Sequence, residues 1–283
     1  MINIKINKKN IFISISLLFL LICVIIIDQI QLISLSDKIK LKFIDLKFQS
    51  IDCLNNEVVL TEESGDLYTL NDKKIKKIAS LKRLDAKTYK SINSLAHTTS
   101  LNLINNDIAV ASNSFDRLPG KIVIFDYQKL LSSKYLEEDN LIQVLGDDRY
   151  NAVKLSKINL DQESYFVKIE RDFTNQYYYS LLSLNLNDKI CSLNFNEKNI
   201  QNIYWDENRE ELSIISNPFP SNGGQINTYN IIIGPEETCP KIIFKESFYY
   251  LTLKELEDMD HCLDNEYHLF IKDNNSYLFY KSF

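Results

Sequence analysis

The chain has 283 residues, of which 45% are hydrophobic and 25% charged, and its formal net charge is −6. That is enough apolar material for a sizeable core, and all-β domains often reach about 250 residues as one unit. The acid excess works against a nucleic-acid partner: without residues 1–28 there remain 29 basic and 37 acidic residues, a charge of −8, with no basic stripe to gather phosphates.

Between Lys9 and Asp28 lie 18 uncharged residues, NIFISISLLFLLICVIII. As a helix they rise about 27 Å, close to a hydrocarbon core of about 30 Å. A signal-peptide core is shorter, roughly 7 to 15 residues. No Ala-x-Ala site follows, and Ile22 stands where lipid attachment at Cys23 requires a small residue. The expectation is an uncleaved single-pass anchor over 11–28, a tail over 1–10, a linker over 29–38 and a β domain over 39–283. Lys5, Lys8 and Lys9 flank one end and Asp28 the other, which puts the tail in the cytoplasm and the domain on the periplasmic or extracellular side.

Six glycines are few for a β-rich chain, so Asn and Asp must make most turns. From Ile51, IDCLNNEVVLTEESGDLYTLN reads as three short strands separated by polar turns at Asn55-Asn56 and Ser64-Gly65, with KIKKIASLK as a fourth. Looser copies turn at Asn105, Asp161, Asp206 and Asp264, at spacings of 50, 56, 45 and 58 residues from Asn55 onward. Four antiparallel strands in about 50 residues suit a propeller blade. The last copy ends at Phe283 one strand short, while 39–48, IKLKFIDLKF, is one strand too many at the other end. Pairing the two closes a ring and removes two sheet edges. The expected fold is therefore all-β, a five-bladed propeller closed by its N-terminal strand; an irregular β-sandwich and a six-bladed propeller are the alternatives.

Over about 39–283 the repeats resemble those of β-propeller proteins in general. They lack the Gly-His and Trp-Asp pairs of WD40 blades, and Trp205-Asp206 occurs once, at a different turn. The resemblance implies the architecture and assigns no functional residue.

Four cysteines follow the anchor: Cys53, Cys191, Cys239 and Cys262. Cys53 and Cys262 each stand two residues before the turn of the first and last repeats, which are neighbours in a closed ring. A disulfide between them is expected in an oxidising compartment; two buried thiols are the alternative. There is no CxxC pair, and the adjacent His261 and Cys262 point to opposite faces of a strand, so no metal site is expected.

Nucleophile elbows, phosphate-binding glycine loops, HExxH and calcium-loop patterns are all missing from the sequence, and no cofactor is expected. The acids Glu57, Asp107, Glu163, Asp206 and Glu266 could form a carboxylate ring for glycoside hydrolysis, but their recurrence at every repeat turn indicates turn chemistry. The second-to-third connections vary most, notably 112–121, 170–176 and 216–225, and variable loops on a rigid scaffold carry function. The candidate binding residues there are Phe115, Asp116, Arg117, Arg171, Phe173, Phe219 and Asn222. The expected function is a membrane-anchored, non-catalytic module that binds or scaffolds proteins of the cell envelope. The alternative is a carbohydrate-binding protein or glycoside hydrolase using the same rim. An aromatic platform beside a carboxylate pair favours the second, and an apolar patch without such a pair favours the first.

Overall fold

The computed structural model describes residues 39–71, 73–81, 98–113, 120–146, 149–160, 163–195, 197–216, 224–232, 239–250, 255–262, 265–272 and 275–282. The expected anchor, tail and linker lie outside them. Five four-stranded antiparallel sheets are present. The first contains β2 (Phe48–Leu54), β3 (Glu57–Glu62), β4 (Asp66–Asn71) and β5 (Lys74–Ser80). The second contains β6 (Thr98–Leu103), β7 (Ile108–Asn113), β8 (Ile122–Asp126) and β9 (Leu141–Leu145). The third contains β10 (Tyr150–Leu160), β11 (Glu163–Asp172), β12 (Tyr177–Ser183) and β13 (Lys189–Leu193). The fourth contains β14 (Ile200–Asp206), β15 (Glu211–Ser216), β16 (Gly224–Ile232) and β17 (Lys241–Tyr250). The fifth contains β18 (Glu255–Cys262), β19 (Asn265–Lys272) and β20 (Asn275–Ser282), with β1 (Ile39–Phe43) on its outside.

The first strands of the sheets touch in a cycle, β2 to β6 to β10 to β14 to β18 and back to β2. The chain is a five-bladed β-propeller. The sandwich and six-bladed alternatives fall to that cycle of five. Between blades the sheets pack face to face, so a middle strand such as β15 is buried along its whole length and shows no polar alternation.

Asn55 and Asn56 both take positive φ, 51° and 65°, the conformation of a two-residue hairpin turn that Asn adopts more readily than most residues. In the fourth blade Asp206 does the turn chemistry, its Oδ1 accepting from the Asn208 N–H at 2.9 Å and the Arg209 N–H at 3.2 Å. Blade two carries an unforeseen helix, α1 (Tyr127–Ser133), between its third and fourth strands, capped by Asp126, whose Oδ1 accepts from the Lys129 N–H at 2.8 Å.

The ring closes as the strand count requires. β1 pairs antiparallel with β20, from Ile39 opposite Tyr280 to Phe43 opposite Ser276. The N-terminal strand is shorter than expected: 39–48 bends at Ile44-Asp45, where Asp45 takes φ 57°, and Phe48 already opens β2. Phe43, Phe48, Ile51 and Leu60 pack with Leu269 and Leu278 across the seam. The expected disulfide is present: Cys53 on β2 and Cys262 on β18 are bonded, with Cα atoms 5.2 Å apart and 209 residues between them in sequence. A second bond, not foreseen, joins Cys191 on β13 to Cys239, just before β17.

Replacing Cys53 and Cys262 together by Ser removes a cross-link over a very long loop. The chain-entropy model gives a loss of about 5 kcal/mol, a midpoint lower by roughly 10 °C or more for a domain of this size. Thermal melts of the oxidised parent and the double variant measure this, and equal midpoints would show that the seam does not depend on the bond.

Candidate functional site

The five inner strands surround a polar central cavity of about 410 Å³, lined among others by Asp52, Asn102, Lys157, Asn202, Trp205 and Asp258. It reaches the tight first-to-second turns at Asn55, Asn56, Glu207 and Asn208. Toward the opposite rim, Asn202 crosses the ring from blade four and donates through Nδ2 to the Thr99 carbonyl of blade two at 2.9 Å.

The cavity's carboxylates clamp neighbouring blades. Asp52 Oδ1 accepts from the Leu101 N–H of blade two at 3.0 Å, while its other oxygen accepts from Ser50 Oγ at 2.7 Å. Asp258 and Asp260 of blade five accept from the Ile51 N–H at 2.8 Å and the Cys53 N–H at 2.6 Å of blade one. Asn102 does the same for blade three, accepting from the Lys157 N–H at 3.1 Å and donating to the Leu155 carbonyl at 3.1 Å. Inner-strand amides that no ladder can pair are thus satisfied by side chains of the next blade. Desolvation raises Asp52 from 3.8 to about 7, against the hydrogen bonds from Leu101 and Ser50 that lower it. Desolvation first, and the Asp52 charge second, push Asp258 well above the usual carboxylate range. Among the described residues no group of three or more His, Cys, Asp or Glu side chains is placed to hold a metal ion. Trp205 lines the cavity, and its buried Nε1–H has no hydrogen-bond partner among the described residues.

Of the candidate rim residues, Phe115, Asp116, Arg117, Phe219 and Asn222 lie outside the described residues. Arg171 lies on β11, and Phe173 stands 52% exposed in the connection to β12. That connection is tied by Asp172, whose Oδ1 accepts from Thr174 Oγ1 at 2.7 Å and from the N–H groups of Thr174 and Gln176 at 2.8 and 3.0 Å. These bonds, the Thr174 hydroxyl first, hold its carboxyl below the usual range, which is the wrong direction for a general acid. The adjacent tyrosines alternate as strand residues: Tyr179 is buried and donates to the Glu197 carbonyl at 2.9 Å, while Tyr178 lies outward, edge-on to Tyr150 with centroids 5.3 Å apart.

A different surface carries the concentration of exposed apolar side chains. On β17, the outer strand of blade four, Ile243, Phe244, Phe248 and Tyr249 are each about half exposed, Phe244 most at 56%. The other outer strands differ. β5 presents Lys74, Lys76 and Lys77, β1 carries Lys40 and Lys42, and β9 and β13 are five residues long against ten for β17.

No family model matches the chain, and no curated protein matches it in sequence. Solved structures show its likeness to other propellers. The β-propeller domain of Cps50 (Swd1) from Myceliophthora thermophila is 7% identical with a TM-score of 0.49, 82% of each chain being covered. The WD40 domain of Toxoplasma gondii coronin is 9% identical with a TM-score of 0.43, over 83% of this chain and 56% of that one. A putative oxidoreductase (glucose dehydrogenase) from Thermus thermophilus is 10% identical with a TM-score of 0.46, over 83% and 80%. None of these likenesses transfers an activity; the blade count rests on this chain's own strand ladders.

Asp52, Asn102, Asn202, Asp258 and Asp260 were not among the sequence candidates. In the sequence they are short polar residues within inner strands that carry other polar residues as well, so nothing marked them out. β17 had a weak signal, an outer strand without the lysine alternation of β5.

The buried carboxyls set a pH dependence. A folded pKa raised above the unfolded value contributes stability that is complete below about pH 4 and is lost as the pH rises through about 7. The melting midpoint is therefore expected to fall between pH 5 and pH 8. Asp52→Asn keeps an acceptor for the Leu101 N–H and should flatten that slope; an unchanged slope in the variant would show that Asp52 is not its source.

Proposed function

We propose that the chain is a non-catalytic protein-binding module, held at the outer face of a membrane by its N-terminal segment. The observation that carries this reading is β17: a long strand that no second strand among the described residues pairs on its outer side, with four large apolar side chains about half exposed. Natural sheets blunt such edges unless another chain covers them, and the lysines of β1 and β5 do so here. Lys245 of β17 is paired with Glu211 of β15, so that carboxylate is already engaged beside the apolar side chains of the edge, which favours protein over saccharide.

Two features support the placement. The 18 uncharged residues before Asp28 match the thickness of a hydrocarbon core of about 30 Å. All four cysteines past that segment are paired as disulfides, which persist in oxidising compartments.

A second reading has one observation of its own. Trp205 lines a polar cavity of about 410 Å³ that also holds carboxylates and amides, a chemistry suited to a small polyhydroxylated ligand. Trp205 is the single tryptophan of the chain, so its emission reports directly on that cavity.

Three outcomes test these readings. Deleting residues 1–28 should release a folded domain into the soluble fraction; a folded truncated chain that still pellets with membranes would contradict the anchor. A photoreactive residue at Phe244 of the full chain should give a covalent protein adduct in membranes, while one at Lys76 on β5 should not. Equal yields at the two positions would remove β17 as the docking edge. Titration with oligosaccharides should leave the Trp205 emission unchanged; a saturable change would favour the second reading.

A further inference from the structure

We infer that β17 pairs antiparallel with β17 of a second copy of this chain, joining the two fourth blades into one eight-stranded sheet across a two-fold axis. The inference rests on the reading of β17 as a docking edge and names its occupant.

The argument comes from the register of β17 on β16. Ile242, Phe244, Ser247 and Tyr249 stand opposite Ile231, Tyr229, Asn227 and Gln225. Tyr229 and Ile231 pack with Leu181 and Leu193 of blade three, so these four side chains share the face toward blade three. Ile243, Glu246 and Phe248 stand opposite Asn230, Thr228 and Ile226. Ile226 packs with Leu256 and Phe270 of blade five, so this second set shares the other face. The shift from odd to even numbers on each face is produced by a bulge, in which Lys245 is the extra residue between Phe244 and Glu246.

That bulge makes the strand complementary to itself. In an antiparallel pair, residues directly opposite must lie on the same face of the sheet. A two-fold axis at Lys245-Glu246 sets Phe244 opposite Ser247 of the second copy, Ile243 opposite its Phe248, and Ile242 opposite its Tyr249. Each of these pairs lies on one face. Without the bulge the same register would put each pair on opposite faces and no ladder could form.

At the axis, Lys245 of each copy meets Glu246 of the other, so opposite charges face each other twice. Aromatic side chains against β-branched ones, and opposite charges, are the cross-strand pairs that stabilise a sheet. The edge is also held in place before pairing: the Cys191–Cys239 disulfide pins the start of β17 to blade three, and Lys245 is bonded to Glu211 of β15. Pairing of this kind is isologous and closes at two copies, so it satisfies the edge without propagating into a fibre.

The test places a photoreactive benzophenone side chain at Phe248 in the full chain, in its own membrane. The expected product has twice the mass of the chain, and its cross-linked peptide contains Ile243. Glu246→Lys sets like charges opposite each other and should lower the adduct yield about tenfold or more. Adding Lys245→Glu restores opposite charges across the axis and should restore the yield. An adduct to a different protein would overturn self-pairing while leaving β17 a docking edge; no adduct would overturn both. A double variant that melts like the parent yet gives no adduct would also overturn the register. If Glu246→Lys fails to fold, the Phe248 adduct of the otherwise unchanged chain decides the question alone.

Discussion

A ring of sheets has one seam, and every other contact here depends on its being sealed. The first and last blades meet 209 residues apart in sequence, so closing them costs loop entropy that no local interaction recovers. Three devices of different physics act on the seam. β1 supplies the outer strand of blade five. Phe43 and Phe48 join its apolar packing. The Cys53–Cys262 bond, with the Asp258 and Asp260 clamps, ties the inner strands.

Sealing the ring uses up the groups that would otherwise suggest chemistry. Asp52, Asp258 and Asp260 resemble a reactive cluster when taken as a composition, since they are acidic, desolvated and gathered at a cavity. Each one, however, accepts a backbone N–H that has no ladder partner, and the raised pKa values follow from burial. The turn acids are similarly occupied: Asp206 caps its own turn, and Glu266 is bonded to the buried His268. With the interior committed to holding the blades together, the outer edge of blade four stands out. It is the longest of the outer strands, and among the described residues it carries the most large apolar side chains left about half exposed.

The architecture was legible because its signals are local and repeated. Asn55-Asn56 marks a hairpin by conformational preference alone, the missing last strand was visible at the other end of the chain, and Cys53 and Cys262 shared a register that closure brings together. The boundary of β1 was misjudged because 39–48 was taken as one alternating run, although the alternation changes phase at Phe43-Ile44, from odd to even positions, where the backbone turns. Cys191 and Cys239 gave no such register, since Cys239 belongs to a connection rather than a repeat position. The clamps were hidden because an Asp in a strand does not reveal whether its partner is water or an amide some 200 residues away, as for Asp258 and Ile51. The exposed apolar side chains of β17 were hidden because Ile, Phe and Tyr read the same in a buried strand as in an exposed one. The rim candidates for binding are represented among the described residues by Arg171 and Phe173.

Hydrogen–deuterium exchange on the full chain is the most direct test that β17 is covered by another strand. The amides of β17 that face away from β16 should exchange as slowly as those of an interior strand such as β15, and should become fast once the chain is diluted in detergent. Exchange at the rate of the lysine-bearing edge β5 under both conditions would contradict it.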